Sequence, residues 1–332
     1  MAPTLPPFQN TSTTASPAPS LAASLNIPYV TAELFIAALS TAGNLLVCVA
    51  VATERRLRTV TNYFLVSLAV ADVCVGALAI PCAILTDMGI PRNTHSQTQQ
   101  TRALTHPQLY LCLFMLSVLI MLTQSSILSL LAVAVERYVA IFLPFRHQRY
   151  MTGRLAVLVI VCVWVLAFLM GLVPLMGWYR EGAGESGRCS FVQVVDMRYM
   201  VFFNFFVCVL APLVVMLLLY AHIFSLAQRQ ARRINQETQL GRRINVERQV
   251  NLKQEVKTAT SVFMVLFLFA ICWLPLHIIN CFLLLSPASP VPLPLLLTAI
   301  ILSHANSALN PLLYAYKMRP FRHAFKRLLC CK

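Results

Sequence analysis

Residues 113–138 read LFMLSVLIMLTQSSILSLLAVAVERY, a long apolar stretch that ends in charged residues. Its first charged residue is Glu136, so 23 consecutive positions (113–135) carry no charge. A helix needs about 20 predominantly apolar residues to cross the hydrocarbon core of a bilayer. The apolar run is continuous rather than alternating, which favours a membrane helix over a strand of a membrane barrel. The stretch therefore predicts a transmembrane α-helix.

The composition of the whole chain agrees with this prediction. Of the 332 residues, 58% are hydrophobic and 11% are charged. A soluble domain contains about 45–50% apolar and about 25% charged residues. We therefore exclude a water-soluble enzyme, a disordered protein and a nucleic-acid-binding module. No nucleophile–base pair and no metal-ligand spacing stands out, so we expect neither enzymatic activity nor a nucleic-acid partner.

Six further stretches have the length and apolar character of the first. They predict an all-α fold, a seven-transmembrane helix bundle followed by a short amphipathic eighth helix. Numbered span 1 to span 7, the stretches are residues 29–53, 62–86, 109–136, 153–177, 199–225, 259–285 and 292–316. We expect three parts: an N-terminal tail (1–28), the seven-helix domain (29–316) and a terminal amphipathic helix with a cysteine tail (317–332).

The distribution of Lys and Arg predicts the orientation in the membrane. Of 26 such residues, 21 lie in four segments on one side: 54–58, 137–154, 229–257 and 317–332. Positively charged loops face the cytoplasm. We therefore predict a multi-pass protein of the plasma membrane with an extracellular N-terminus and a cytoplasmic C-terminus. The basic side is also expected to attract anionic membrane lipid.

The side of the membrane on which they are expected to lie suggests roles for several cysteines and one asparagine. Cys112 at the outer start of span 3 and Cys189 in the following outer loop are the two cysteines in the oxidising compartment, which favours a disulfide between them. Asn10 begins an outer Asn-Thr-Ser sequon and is a predicted glycosylation site. Cys330 and Cys331 follow a basic segment, so we predict palmitoylation, the alternative being two idle thiols.

Polar groups in the middle of a span are costly and mark functional candidates. Asp72 lies midway along span 2, and Asn44, Ser126, Asn306 and Asn310 can approach it if the helices form a bundle. One carboxylate with several neutral oxygens suits a small hard cation such as sodium. An interhelical hydrogen-bond network without an ion is an equally good interpretation of these residues.

Charged residues at the cytoplasmic end of span 3 predict a switch. Arg137 of Glu136-Arg137-Tyr138 can pair with Glu136, and with Glu255 at the start of span 6 if the helix ends approach. A contact that breaks when span 6 swings outward is a two-state element. Without further context, a surface ion pair worth about 0–1 kcal/mol is the alternative.

Motifs in every span resemble those of the rhodopsin-like G-protein-coupled receptors. They fall in order as GN (43–44), LAVAD (68–72), ERY (136–138), Trp164, Pro212 with Tyr220, CWLP (272–275) and NPLLY (310–314). The resemblance implies a sodium-linked inactive state around Asp72 and a toggle at Trp273. It also implies a cytoplasmic cleft that opens around Arg137 for a heterotrimeric G protein, with Tyr220 and Tyr314 as part of the switch. Phe145 is then an exposed aromatic that inserts into the G protein, unless it is buried among lipid headgroups.

Longer strings are similar to the adenosine receptors. They are LTQSS (122–126), CSFV (189–192), YMVFFNFF (199–206), CWLPLHIINC (272–281) and LSHANSALNP (302–311). Span 3 has no acid in its outer half, which argues against a cationic amine ligand. A receptor for another small non-amine ligand is an alternative with the same fold. An ion channel or transporter is an alternative from another class, which would need broken helices or a polar stripe at the midplane.

The resemblance implies a pocket for adenosine in the outer half of the bundle. Asn280 is expected to bind the purine through paired donor and acceptor groups, and Phe191 to stack on its ring. Ser303 and His304 are expected to bond the ribose hydroxyls, with Glu33 orienting His304. The remaining expected contacts are Thr123, His277, Leu276, Met200, Ile300 and, at the floor, Trp273.

Three features favour the cyclic-AMP-lowering subtypes, and therefore an inhibitory G protein. Val192 stands where several adenosine receptors carry a glutamate, residues 257–270 read KTATSVFMVLFLFA, and the tail after span 7 is short. The first outer loop, residues 87–111, is longer than the family leads us to expect.

Overall fold

The computed structural model describes residues 27–87, 106–183, 189, 194–239, 246–287 and 289–329. Within these ranges, seven helices are long and apolar enough to cross a membrane, which confirms the predicted fold class. The helices themselves run over Ile27–Thr53, Val60–Cys74, Ile80–Asp87, His106–Phe142, Pro144–Tyr150, Gly153–Leu172, Ala211–Gln239, Val246–Leu285, Leu293–Lys317 and Arg319–Leu329.

Two spans contain π-helical segments. In span 2 the segment Val75–Ala79 joins the helices Val60–Cys74 and Ile80–Asp87, and it begins three residues after Asp72. In span 5 the segment Tyr199–Leu210 precedes Ala211–Gln239. Such wider turns are frequent at functional sites because they re-aim the neighbouring side chains.

Several helix boundaries differ from the predicted ones. Span 3 extends to His106–Phe142, and the helices of spans 5 and 6 reach Gln239 and begin at Val246, well outside the apolar stretches. Hydropathy detects only the membrane-embedded part of a helix, so polar extensions carry no such signal. Span 4 instead ends early, at Leu172, two residues before Pro174, which lacks the N–H that would continue helical hydrogen bonding.

Burial is distributed as expected for a bundle in lipid. Large apolar side chains such as Leu78, Phe168 and Leu218 are exposed on the outside, whereas polar side chains including Asp72 and Asn280 are buried inside. Small residues bring helices together: a Cβ on Gly76 would lie 2.6 Å from Thr41 Oγ1. Close packing of this kind drives helix association where water is absent.

The helix Arg319–Leu329 is amphipathic, as predicted. Phe321 and Phe325 are buried in the same core cluster as Leu57 of the first loop, and Arg327 forms an ion pair with Glu54. Its basic side chains Lys326 and Arg327 are exposed. The predicted sites at Asn10, Cys330 and Cys331 lie outside the described residues.

Candidate functional site

The disulfide predicted at one end of the bundle is present. Cys112 and Cys189 are bonded, with their Cα atoms 5.8 Å apart, and both are buried. Nearby, the Arg180 backbone N–H donates to the Val194 carbonyl at 3.0 Å. The disulfide holds the loop after span 4 against span 3, and the backbone bond joins two parts of that loop. We call this end of the bundle the disulfide end, and the end that carries Arg137 the arginine end.

His304 of span 7 contacts Glu33 of span 1 near the disulfide end. His304 Nδ1 and Glu33 Oε2 are 2.8 Å apart, and both side chains are almost completely buried. Opposite an ionised carboxylate, which only accepts hydrogen bonds, the proton of this contact would lie on Nδ1. In that tautomer Nε2 remains available to another partner. The predicted orientation of His304 by Glu33 therefore has the required geometry.

One face of span 6 carries polar atoms without partners. Asn280, His277 and Trp273 follow one another at helical spacing, and Asn280 is 1% exposed. Asn280 Nδ2, both ring nitrogens of His277 and Trp273 Nε1 have no hydrogen-bond partner among the described residues. Buried polar atoms are normally satisfied by protein, water or ligand. This face therefore has the donors and acceptors that a polar ligand requires.

Aromatic packing supports the same face. The ring of His277 stacks on Phe205 of span 5 with centroids 4.7 Å apart, and it lies 6.1 Å from the ring of Trp273. The ring centroids of Trp273 and Phe269 are 6.1 Å apart, and Phe269 lies one turn before Trp273 in span 6. The stack connects the level of His277 to the middle of the bundle, where the toggle was predicted.

Two predicted ribose contacts bond to their own helices. Ser303 Oγ donates to the Ile300 carbonyl at 2.7 Å, and Thr123 Oγ1 donates to the Leu119 carbonyl at 3.0 Å. Each hydroxyl oxygen can still accept a hydrogen bond. Met200 is buried, whereas Leu276 and Ile300 are partly exposed. Phe191 lies outside the described residues, so its stacking role stays a prediction.

An amide pair between spans 3 and 5 was missed by sequence reasoning. Gln124 Nε2 donates to Asn204 Oδ1 at 2.6 Å, and both side chains are buried. Gln124 follows Thr123, and Asn204 lies within YMVFFNFF. The presence of an amide in each of two spans was the available signal, but a pairing between distant segments follows only from the fold.

The surroundings of Asp72 fit a small cation. Asn310 Nδ2 donates to Asp72 Oδ2 at 2.8 Å, and Asp72 is 0% exposed. Asp72 Oδ1, Asn310 Oδ1 and Asn44 Oδ1 have no hydrogen-bond donor among the described residues. Oxygen atoms that receive no hydrogen bond are the ligand atoms that a hard cation prefers. Of the other predicted ligands, Asn306 is buried and Ser126 Oγ donates to the Leu122 carbonyl at 3.1 Å.

The predicted ion pair is present at the arginine end. Arg137 Nη2 lies 2.5 Å from Glu136 Oε1, and Arg137 Nε donates to Glu136 Oε2 at 2.7 Å. Thr61 Oγ1 donates to Oε2 at 3.0 Å, and His147 Nε2 lies 2.7 Å from Oε1. This is not the exposed pair of the alternative interpretation, because Glu136 and Arg137 are both buried.

Other residues of the predicted switch surround this pair. Tyr138 bonds His222 of span 5, with 3.2 Å between its hydroxyl and Nδ1. The hydroxyls of Tyr220 and Tyr314 are buried without a partner among the described residues. Phe145 is 87% exposed, as predicted. The side chain of Glu255 lies outside the described part. Sequence reasoning missed the contacts of His147 and His222.

Residues 43–314 match the family described as 7 transmembrane receptor (rhodopsin family). The match and the seven apolar helices define the class of the protein, a rhodopsin-like seven-transmembrane receptor that spans the membrane several times.

Comparison with curated proteins narrows the class. The chain is 44% identical to adenosine receptor A2a of Homo sapiens over 314 residues, which are 91% of this chain and 72% of the relative. It is 46% identical to adenosine receptor A2b of Bos taurus over 318 residues, with 91% and 89% covered. The chain therefore belongs to the adenosine receptors of the rhodopsin family, and it is a receptor rather than an enzyme.

Proposed function

We propose that the chain binds extracellular adenosine between its helices at the disulfide end and transmits binding to a heterotrimeric G protein at the arginine end. The observation that carries the ligand site is the set of buried, unpartnered polar atoms on Asn280 and His277. The His304–Glu33 contact lies at the same end of the bundle. A nucleoside combines a flat aromatic ring with hydroxyl groups, which matches aromatic and polar side chains in one pocket.

In this proposal Asn280 binds the purine and His304 binds the ribose. A carboxamide matches an adenine edge with one donor and one acceptor. The ribose hydroxyls also reach Ser303 and Thr123, whose oxygens still accept hydrogen bonds. Phe191 stacks on the ring. The walls and floor are formed by His277, Leu276, Met200, Ile300 and Trp273.

Agonist binding shifts a population between two states. A ligand moves such an equilibrium only if it binds one state better than the other. Contacts on spans 3 and 7 supply that difference here, and rearrangement around Trp273 carries it towards Arg137. In the active state Arg137 leaves Glu136, and the unpartnered hydroxyls of Tyr220 and Tyr314 offer new contacts. Glu255 and the exposed Phe145 border the G-protein site.

A sodium ion near Asp72 is part of the proposed inactive state. Asp72, Ser126, Asn306 and Asn310 would hold it, and its positive charge would balance the buried carboxylate. Coupling between two sites is reciprocal. An ion that favours the inactive state lowers agonist affinity, and an agonist lowers sodium affinity.

The orientation and the direction of coupling also belong to this proposal. An extracellular N-terminus in the plasma membrane is supported by the basic loops and by the disulfide at the opposite end. Membrane lipid contacts the amphipathic helix Arg319–Leu329. The G protein acts on adenylate cyclase. The relatives reported above are A2 receptors, so they lend no support to the expected cyclic-AMP-lowering subtypes.

Cyclic AMP in cells that express the chain tests the proposal. The variants are Asn280→Ala and, as a matched control on the lipid-facing side of the same helix turn, Ile278→Ala, with equal surface expression. Adenosine is expected to change cyclic AMP in wild type and the control but not in Asn280→Ala. A fall in forskolin-raised cyclic AMP supports the inhibitory G protein, and a rise supports a stimulatory one. A chain that neither binds adenosine nor changes cyclic AMP would refute the ligand assignment.

A further inference from the structure

His147 is an additional partner of the carboxylate that the activation switch uses. It lies on the short helix Pro144–Tyr150, next to span 3, and its Nε2 is 2.7 Å from Glu136 Oε1. Resting on the proposed function, we propose that His147 is a positioning residue of the switch. It stays with Glu136 when Arg137 leaves, and in its protonated form it favours the active state.

The charges in the closed arrangement oppose protonation of His147. Glu136 Oε1 is shared between His147 Nε2 and Arg137 Nη2, which lies 2.5 Å from it. Arg137 is permanently charged. A proton on His147 would therefore place two cations on one carboxylate oxygen. Both cations would then compete for the same negative charge, so a second cation gains less here than it would beside an unpaired carboxylate.

When Arg137 leaves Glu136, a proton on His147 becomes favourable. Glu136 is 1% exposed, and without Arg137 it keeps Thr61 and His147 as its remaining partners in the described structure. A buried carboxylate without a counter-charge is strongly destabilising. Protonated His147 supplies that charge. The side chain of His147 is 24% exposed, so protons from the solvent reach it. The active state consequently binds this proton more tightly, and linkage makes low pH favour activation.

Other groups at the arginine end titrate or carry charge. Arg146, Arg149 and Tyr150 lie on the helix of His147 and are exposed. On span 3, Tyr138 bonds His222 of span 5, which is the second histidine near the switch. Glu136 itself can also take up a proton when Arg137 leaves. Proton uptake by any of these other groups would continue in a variant without His147. Mutation of His147 therefore separates its contribution from theirs.

Receptor-stimulated nucleotide exchange on the G protein tests the inference. It is measured in open membrane fragments, with and without saturating adenosine, between about pH 7.5 and about pH 6, across the ordinary titration range of histidine. The variants are His147→Gln, which keeps a hydrogen-bond donor without the charge, His147→Lys, which keeps the charge, and, as the matched control, His323→Gln at an exposed histidine of the helix Arg319–Leu329. All activities are compared at equal receptor density, so the pH dependence of the G protein cancels in the ratios.

The ratio of wild-type to His147→Gln exchange is expected to rise about fivefold as the pH falls, the lower end of the usual range of coupling. His147→Lys should be as active at the higher pH as wild type is at the lower. His323→Gln should follow wild type. Identical pH profiles for wild type and His147→Gln would overturn the inference. Exchange without adenosine is read in the same membranes, so a missing response to adenosine refutes the ligand while the ratio still tests His147.

Discussion

His304 of span 7 and Glu33 of span 1 are 2.8 Å apart, although 271 positions separate them in the chain. The contact closes the bundle by joining its first and last spans beside the proposed pocket. Opposite an ionised Glu33, the proton of this contact would lie on Nδ1 of His304. In the proposed pocket His304 would then bind ligand through Nε2 and depend on a residue that need not touch the ligand.

Glu33→Ala is expected to weaken adenosine binding about tenfold, because a hydrogen bond to a charged group contributes about 1.5–3 kcal/mol. Without Glu33, His304 can rotate or change its tautomer. Competition binding with Glu33→Ala, His304→Ala and the double variant measures the coupling. The double variant should be little weaker than His304→Ala alone. Fully additive losses would contradict an indirect role for Glu33.

Asp72→Asn is expected to abolish the effect of sodium on agonist affinity, because the amide lacks the charge that attracts the ion. In wild type, replacing sodium with a large organic cation at constant ionic strength should raise agonist affinity about five- to 150-fold, the usual range of allosteric coupling. Agonist competition curves in both salts provide the measurement. A variant that keeps its sodium sensitivity would argue against an ion at Asp72.

Opening the Cys112–Cys189 disulfide is expected to reduce stability by about 2–5 kcal/mol, since the bond holds a loop against span 3. Cys189→Ser should lose ligand binding at lower temperature than wild type. Cys162→Ser, an exposed cysteine of span 4, serves as the control and should behave like wild type. Equal thermal inactivation of all three receptors would show that the disulfide does not contribute to stability.

The buried amide pair gives a prediction about stability. Gln124→Leu leaves Asn204 without its donor in an apolar interior, which is expected to cost about 1–3 kcal/mol. Asn204→Leu should have a similar effect on Gln124. The double variant replaces both partners with apolar groups and should recover much of the lost stability. Thermal denaturation in detergent tests this, and a double variant as unstable as the sum of the single ones would disprove the pairing.

Much of this molecule could be predicted because its signals are local. Seven apolar runs, two cysteines at the predicted outer end and the adjacent pair Glu136-Arg137 are each visible in a short stretch of sequence. The matches to known motifs then nominated Asn280, His304 and Glu33 as partners in one site. The bounds of the spans were inaccurate, because a helix that continues into water loses its apolar signature. The lean towards cyclic-AMP-lowering subtypes found no support in the A2a and A2b relatives.

Contacts between residues that are distant in the sequence could be identified only from the three-dimensional structure. Nothing in the local sequence pairs Gln124 with Asn204 or His147 with Glu136, whereas a bond from Ser303 back to its own helix is a local possibility that the structure confirms. Whether a segment is apolar enough to cross the membrane depends on its own residues, so the order of apolar and polar residues suffices to predict the spans. Which buried polar atoms find partners, and which are left for a ligand, an ion or a proton, depends on how the seven helices rotate and pack against one another.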